Sequence, residues 1–301
     1  MARNGKSRHN GGTRSRVPTL LAIGGHEDRA GGDMRILQEF ANLTHGSKVV
    51  VATQASSVAS EMWKDYHKAF TQLKLKPVHL DIENRIDALD DPRLELINDA
   101  AGIFFTGGDQ LAITSKLGGT ALCDRMHKLY ESGSLVVAGT SAGASVLGET
   151  MIVSGNAEES HKIGNFLQLS PGLGFIQGVV IDQHFAQRGR VSRLLGIVAQ
   201  NPRALGIGID ENTAIVIQNE GFRVVGAGAV YVLDGRPVTH TNIAEGVQDR
   251  TISVFDVRMH VLSEGDTFDF AQRRPAARPA ENEQPQAQTN GQQPKQQQQQ
   301  Q

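Results

Sequence analysis

Leu135-Val136-Val137-Ala138-Gly139-Thr140-Ser141-Ala142-Gly143-Ala144 is the stretch on which the reading of this chain turns. An apolar run of strand length ends in Gly-Thr-Ser-Ala-Gly, and the small, helix-compatible Ala144-Ser145-Val146-Leu147 follows. G-x-S-x-G between a strand and a helix is the setting of a nucleophile elbow, a tight turn that lifts a serine hydroxyl clear of the sheet. The glycines allow the turn and close packing. The first turn of the helix aims unpaired N–H groups at the place where an oxyanion would form. The same five residues also suit a glycine-rich turn with an incidental serine, so the rest of the chain decides between the two readings.

Upstream of the elbow, strand and helix patterns alternate. Val17 to Ile23, Lys48 to Thr53 and Ala101 to Phe105 are apolar runs of the kind expected for strands buried on both faces, and a third, shorter strand begins at Val78. Between them, Ile36, Leu37, Phe40 and Leu43 share a helical face that Asp33 can cap. Val58, Met62, Tyr66, Phe70 and Leu73 share another, and Asp91-Pro92 opens a short helix. Further helices are expected over 111–117 and 121–132. Such alternation predicts an α/β fold with a parallel sheet covered on both faces and ligands at the carboxyl ends of its strands. Gly24-Gly25, Gly107-Gly108 and Ser141 each follow a predicted strand and should converge on one edge.

Downstream, Gly178 to His184 reads as a strand with a polar end, and Val191 to Gln200 as a helix. Ala204 to Glu211, Thr213 to Ile217 and Arg223 to Leu233 read as antiparallel hairpins extending the sheet, with a last strand segment in Thr251 to Leu262. The expected organisation is a basic, disordered arm over 1–16, one α/β domain over 17–270, and a disordered Gln/Pro-rich tail over 271–301. That tail ends in six glutamines and lacks the large apolar residues that would offset its ordering entropy.

Composition excludes several classes. The 301 residues carry a net charge of −2, which gives no global attraction for nucleic acid or membrane. No apolar run approaches the ~20 residues of a membrane span. The arm has no apolar signal-peptide core, which points to a cytoplasmic protein. Cys123, the only cysteine, rules out an internal disulfide and a multi-cysteine metal site, and its apolar neighbours suggest a buried helix thiol.

A serine nucleophile needs a base, and the base needs an orienting carboxylate. Among the histidines beyond the elbow, His184 closes a strand at the active edge, whereas His161 lies in a polar loop and His240 and His260 are far along the chain. Asp182, Gln183, Arg188, Arg190 and Arg193 crowd around His184. Asp210 and Glu211 both end the Leu205 to Ile209 strand, and either suits the third role.

Five blocks, in order, resemble a serine-peptidase family that contains the cyanophycinases and the aspartyl dipeptidases. They are Gly24-Gly25-His26-Glu27-Asp28, Phe105-Thr106-Gly107-Gly108-Asp109-Gln110, Gly139 to Ala144, Asp182-Gln183-His184-Phe185 with Arg188, Arg190 and Arg193, and Gly208 to Ala214. The resemblance covers roughly 17–262. It implies a three-layer sandwich like that of class I glutamine amidotransferases, with a mainly parallel central sheet and serine at the elbow in place of cysteine. It also implies a Ser141, His184, Glu211 triad and an oxyanion hole from the Gly107-Gly108 turn and the Ala142 N–H.

The implied substrate is cyanophycin, a poly-aspartate with arginine on each β-carboxyl, cut by an exo-acting enzyme to β-aspartyl-arginine without cofactor or metal. The alternative within the family is an aspartyl or isoaspartyl dipeptidase, and a homodimer is implied as well. Arg188, Arg190 and Arg193 are then candidates for the substrate's carboxylates. Glu27, Asp28 and Asp182 are candidates for its guanidinium, and Gln110 and Gln183 for the peptide. Spaced i, i+2 and i+5, the three arginines do not share one helix face, so at least one is expected to be structural. His26 stands where the family pattern leads one to expect a small residue, and the glutamine-rich tail has no counterpart in that pattern.

Overall fold

The computed structural model describes residues 17–89, 91–154, 167–245 and 250–278. The first half runs β1 (Thr19–Ile23), α1 (Arg35–Leu43), β2 (Lys48–Ala52), α2 (Ala59–Gln72), β3 (Lys76–Leu80), α3 (Asp91–Asn98), β4 (Gly102–Phe105), α4 (Gln110–Leu117), α5 (Ala121–Glu131) and β5 (Val136–Thr140). β3 begins two residues before Val78 and matches β2 in length, because Lys76 and Pro77 pair with Lys48 and Val49. Asp33 is not the capping residue of α1. Met34 takes that place in a left-handed conformation, and the Asp33 carboxylate accepts the Arg35 N–H at 3.1 Å.

These five strands form the parallel heart of a sheet ordered β1-β5-β4-β2-β3. Period-two alternation sorts their side chains between two cores. Leu21, Ile23, Val49, Val51 and Phe104 meet Ile36, Leu37 and Phe40 of α1 and Tyr66 and Phe70 of α2 on one face. Leu20, Ala22, Val50, Ile103 and Phe105 meet Ile113 of α4 and Leu122, Cys123 and Met126 of α5 on the other. The Cys123 thiol is buried, and desolvation pushes its pKa up to about 11.

After the elbow come α6 (Ala142–Ser145), β6 (Thr150–Ser154), β7 (Gln168–Pro171), β8 (Val179–Gln183), α7 (Val191–Gln200), β9 (Leu205–Ile209), β10 (Thr213–Gln218) and β11 (Gly221–Gly226). Then follow β12 (Val230–Asp234), β13 (His240–Thr241), β14 (Val254–Phe255), β15 (Arg258–Leu262), β16 (Thr267–Asp269) and β17 (Arg274–Ala276). The helix expected to run on from the elbow closes after one turn, with Val146 at its C-cap.

Only part of the second half extends the sheet as expected. β10, β11, β16 and β17 continue it antiparallel beyond β1, giving nine strands among the described residues. β8 and β9 instead pair parallel to each other, and with β12 and β15 they build a second sheet of four. The sequence shows the reason once the pairing is known: β8 and β9 are buried along their whole length, as strands covered on both faces must be. Ile181, Ile207 and Ile209 join the core of α4 and α5, while Val180 packs with Leu194 and Ile197 of α7 on the far side.

The boundary expected at residue 270 falls short of the fold. β17 pairs with β16, and the Arg273 guanidinium is buried against the Asp234 carboxylate at 2.6 Å. A polar composition hides this anchor, because a paired arginine and strand pairing hold the segment without a large apolar side chain. The arm over 1–16, His161 and the glutamine run lie outside the described residues. No helix among the described residues is long and apolar enough to cross a membrane.

Candidate active site

Four strand ends meet at the Gly24-Gly25 turn. Ser141 donates its N–H to the Ile23 carbonyl (3.0 Å), His184 to that of Gly24 (2.8 Å) and Asn212 to that of Gly25 (2.8 Å), while Gly24 donates to Thr213 (2.9 Å). The ends of β1, β5, β8 and β9 are therefore laced together by backbone alone. Gly25 has φ +104°, and a Cβ there would lie 2.3 Å from the His184 ring, so only glycine lets that ring sit where it does. At the elbow itself, a Cβ on Gly139 would lie 2.1 Å from the Gly143 carbonyl oxygen. Both flanking glycines thus belong to one contact between the strand and the helical turn.

Ser141 has φ 54° and ψ −117°, a conformation L-residues rarely adopt. His26, His184 and Asn212 also have positive φ (48°, 49° and 48°). Strain of this kind gathers where a site over-determines its backbone.

The side chains form a continuous chain of hydrogen bonds. Ser141 Oγ lies 2.9 Å from His184 Nε2, and His184 Nδ1 lies 2.7 Å from Glu211 Oε1. An ionised carboxylate only accepts, so Nδ1 carries the proton and Nε2 presents a lone pair to the serine hydroxyl. Burial holds the His184 imidazole below its ordinary pKa, against the opposing pull of the Glu211 hydrogen bond. The N–H of His184 in turn holds the Glu211 carboxyl below its ordinary range. Asp210, the other candidate at that strand end, accepts the N–H groups of Ala186 (2.9 Å) and Ala229 (3.1 Å) and braces the backbone instead. Neither His240 nor His260 lines the cleft.

Gly107 sits against the nucleophile: a Cβ there would lie 3.2 Å from Ser141 Cβ and 3.6 Å from Oγ. The N–H groups of Gly107, Gly108 and Ala142 donate to no acceptor among the described residues, as donors reserved for an incoming oxyanion would.

A cleft of about 540 Å³ opens over Ser141 and His184, lined by Glu27, Gly107, Gly108, Gln110, Gln183, Arg188, Arg190 and Arg193. Two expected ligands for a substrate guanidinium are engaged elsewhere. Asp182 is 1% exposed and grips Arg193 through two bonds, Nε at 2.9 Å and a second from Nη2, while Arg190 donates to it at 3.0 Å. Asp28 accepts four backbone N–H groups, those of Ala30, Gly31, Gly32 and Met34, and so folds the loop after Glu27. Glu27 is buried but faces the cleft, holding one hydroxyl on each oxygen, from Tyr66 and from Thr140 (2.5 Å).

The three arginines divide as their spacing suggests. Arg190 also donates to the carbonyl and side-chain oxygens of Gln183, and burial brings its pKa down to about 10. Arg190 and Arg193 thus edge the cleft with guanidiniums already paired. Arg188 is exposed and pairs with no carboxylate among the described residues. Gln110 donates its amide to the Ile152 carbonyl.

Sequence reasoning missed Arg29, Met62 and Tyr66, which line the cleft from the β1–α1 loop and from α2. Arg29 lies 5.3 Å from the Tyr66 ring centre and 3.7 Å from Asp65. Its place directly after Glu27-Asp28 was a usable signal; Tyr66 reads as a core residue on its helix face. His26, the residue that departs from the family pattern, places its Nδ1 2.9 Å from Glu211 Oε2.

Comparisons with known proteins identify the family. The model of peptidase family S51 matches residues 20–225. A cyanophycinase of Synechococcus elongatus is 36% identical over 83% of this chain and 79% of its own. One of Geminocystis herdmanii is 34% identical over 86% of this chain and 96% of its own. The crystal structure of a peptidase from an acI-B1 Actinobacterium superposes with a TM-score of 0.63 at 26% identity, covering 85% of this chain and 98% of that one. With its elbow serine, its strand-end glycines and its mixed α/β sheet, the chain belongs to peptidase family S51 and is a serine peptidase of that family.

Proposed function

We propose that this peptidase degrades cyanophycin from a chain end, releasing β-aspartyl-arginine through Ser141, His184 and Glu211. The observation that carries the reading is the hydrogen-bonded Ser141–His184–Glu211 chain opening onto a cleft lined by Arg188, which is exposed and pairs with no carboxylate among the described residues. The relatives named cyanophycinases at 34% and 36% identity support the substrate class. In this mechanism His184 Nε2 takes the Ser141 proton as Oγ attacks the backbone carbonyl. The N–H groups of Gly107, Gly108 and Ala142 hold the oxyanion, and His184 returns the proton to the leaving amine. Water, deprotonated by His184, then releases the acyl group. Arg188 meets a substrate carboxylate and Glu27 a substrate guanidinium, while the Asp182–Arg190–Arg193 network fixes Gln183 at the cleft wall.

Incubating the purified protein with insoluble cyanophycin should bring β-Asp-Arg into the supernatant, read by mass spectrometry. Cleavage of short isoaspartyl peptides alone would overturn the polymer assignment and favour the dipeptidase reading. Arg188→Ala should lower kcat/KM on cyanophycin by about 10- to 100-fold, the loss of one charge-assisted hydrogen bond. Because Arg188 is exposed and pairs with no carboxylate among the described residues, the variant's melting temperature should not move; a KM equal to wild type would exclude Arg188 from binding.

The acid limb of kcat/KM has a defined sign. The base works when neutral, and burial lowers the His184 pKa. Activity should therefore persist as pH falls through the ordinary histidine value of about 6.5 and fail only below it. A limb centred above that value would contradict a buried His184 as the base.

A further inference from the structure

Glu211 carries more than an orienting carboxylate needs. Its Oε1 serves His184, yet its Oε2 meets a second imidazole, the Nδ1 of His26, at 2.9 Å. The His26 ring packs edge-on against that of His184 with centroids 5.1 Å apart. The mechanism uses His26 for nothing. Its side chain is 68% exposed, so one edge of the cluster stands open to solvent, while that of His184 is only 4% exposed. One ligand atom from each of His26, His184 and Glu211 can be chosen so that all lie within 4.8 Å of one another.

Two imidazole nitrogens and a carboxylate oxygen, with room for water, are the donor set of a tetrahedral zinc ion. Borderline ions such as copper and nickel also accept it, whereas magnesium and calcium favour all-oxygen shells.

We propose that His26, His184 and Glu211 form an inhibitory site for zinc or a similar transition-metal ion, with His26 as the residue that completes it. The chemistry of inhibition follows from the ring. A metal on His184 Nε2 occupies the lone pair that must take the Ser141 proton. A metal on Nδ1 moves the ring proton to Nε2, which then donates to Ser141 and accepts nothing. Either way the base is lost until the ion leaves. The inhibitory half rests on the reading of His184 as general base; the binding half does not.

The test separates the two. Calorimetric titration of metal-stripped Ser141→Ala protein with zinc chloride should show one ion per chain, with no competition from magnesium or calcium. Adding His26→Ala should weaken binding by at least about tenfold, equivalent to 1.4 kcal/mol. His26→Asn should weaken it equally. Asparagine tolerates the left-handed backbone and keeps an N–H for Glu211, so this variant controls for misfolding. In wild type, zinc should abolish peptidase activity and EDTA should restore it. In His26→Ala, half-inhibition, taken against that variant's own uninhibited rate, should shift by the same factor as binding. Absence of stoichiometric binding, or an affinity in both His26 variants equal to that of the protein with His26 intact, overturns the site. Binding without inhibition overturns the inhibitory half and counts against His184 as the base.

Discussion

Ser141→Ala is expected to lower kcat on cyanophycin by about 10⁴- to 10⁶-fold, the range seen when the nucleophile of a serine peptidase triad is removed. Alanine keeps the Cβ and bears the same positive-φ strain as serine, so the elbow should survive the change. The Gly107, Gly108 and Ala142 donors also remain, leaving a residual rate that depends on the oxyanion hole alone. His184→Ala should cost about as much, and the double variant little more, because the residues act on one proton. The measurement is β-Asp-Arg release by mass spectrometry, with melting temperature as the control for folding. A Ser141→Ala protein that keeps its fold and more than about 1% of wild-type kcat would remove Ser141 from the chemistry.

Asp182→Ala is expected to be the most destabilising of the polar substitutions considered. Asp182 is 1% exposed, and its carboxylate is shared by two guanidiniums that are themselves nearly buried. Removing it leaves Arg190 and Arg193 as uncompensated charges, and breaking a buried pair in this way costs about 3–5 kcal/mol. For a fold of this size that corresponds to a fall of roughly 6–20 °C in melting temperature. Asp182→Asn, which keeps an acceptor oxygen in place, should lose less. Activity should fall as well, since Arg190 holds Gln183 at the cleft. A shift smaller than about 3 °C for the alanine variant would show that the two arginines find water or other acceptors, and that Asp182 is free to meet substrate.

The same network shows where reading the chain one residue at a time stops. Asp182, Gln183, Arg188, Arg190 and Arg193 look equivalent as a polar cluster beside His184. In three dimensions Arg190 and Arg193 turn inward to Asp182, whereas Arg188 is exposed and pairs with no carboxylate among the described residues. The spacing i, i+2, i+5 announced that the three do not share a face, without saying which one differs. Asp28 is a similar case: as one of two acidic residues after Gly25 it suits a guanidinium, but the backbone of its own loop takes it up.

What the chain determined by itself is local and periodic. The apolar runs of β1, β2, β4 and β5, the helix faces between them and the glycines at their ends follow from short-range physics: burial on two faces and backbone turns that a side chain would block. The same local signals place Ser141 and His184 at strand ends. Tertiary structure alone decided which strands pair, sending β9 to a second sheet beside β8 and β10 to the first beside β1. That choice carries Glu211 across to His184 from 27 residues away and leaves Asp210 to brace the backbone. It also sets His26 against the far oxygen of Glu211. Such contacts depend on packing between distant segments, which periodicity along the chain does not encode.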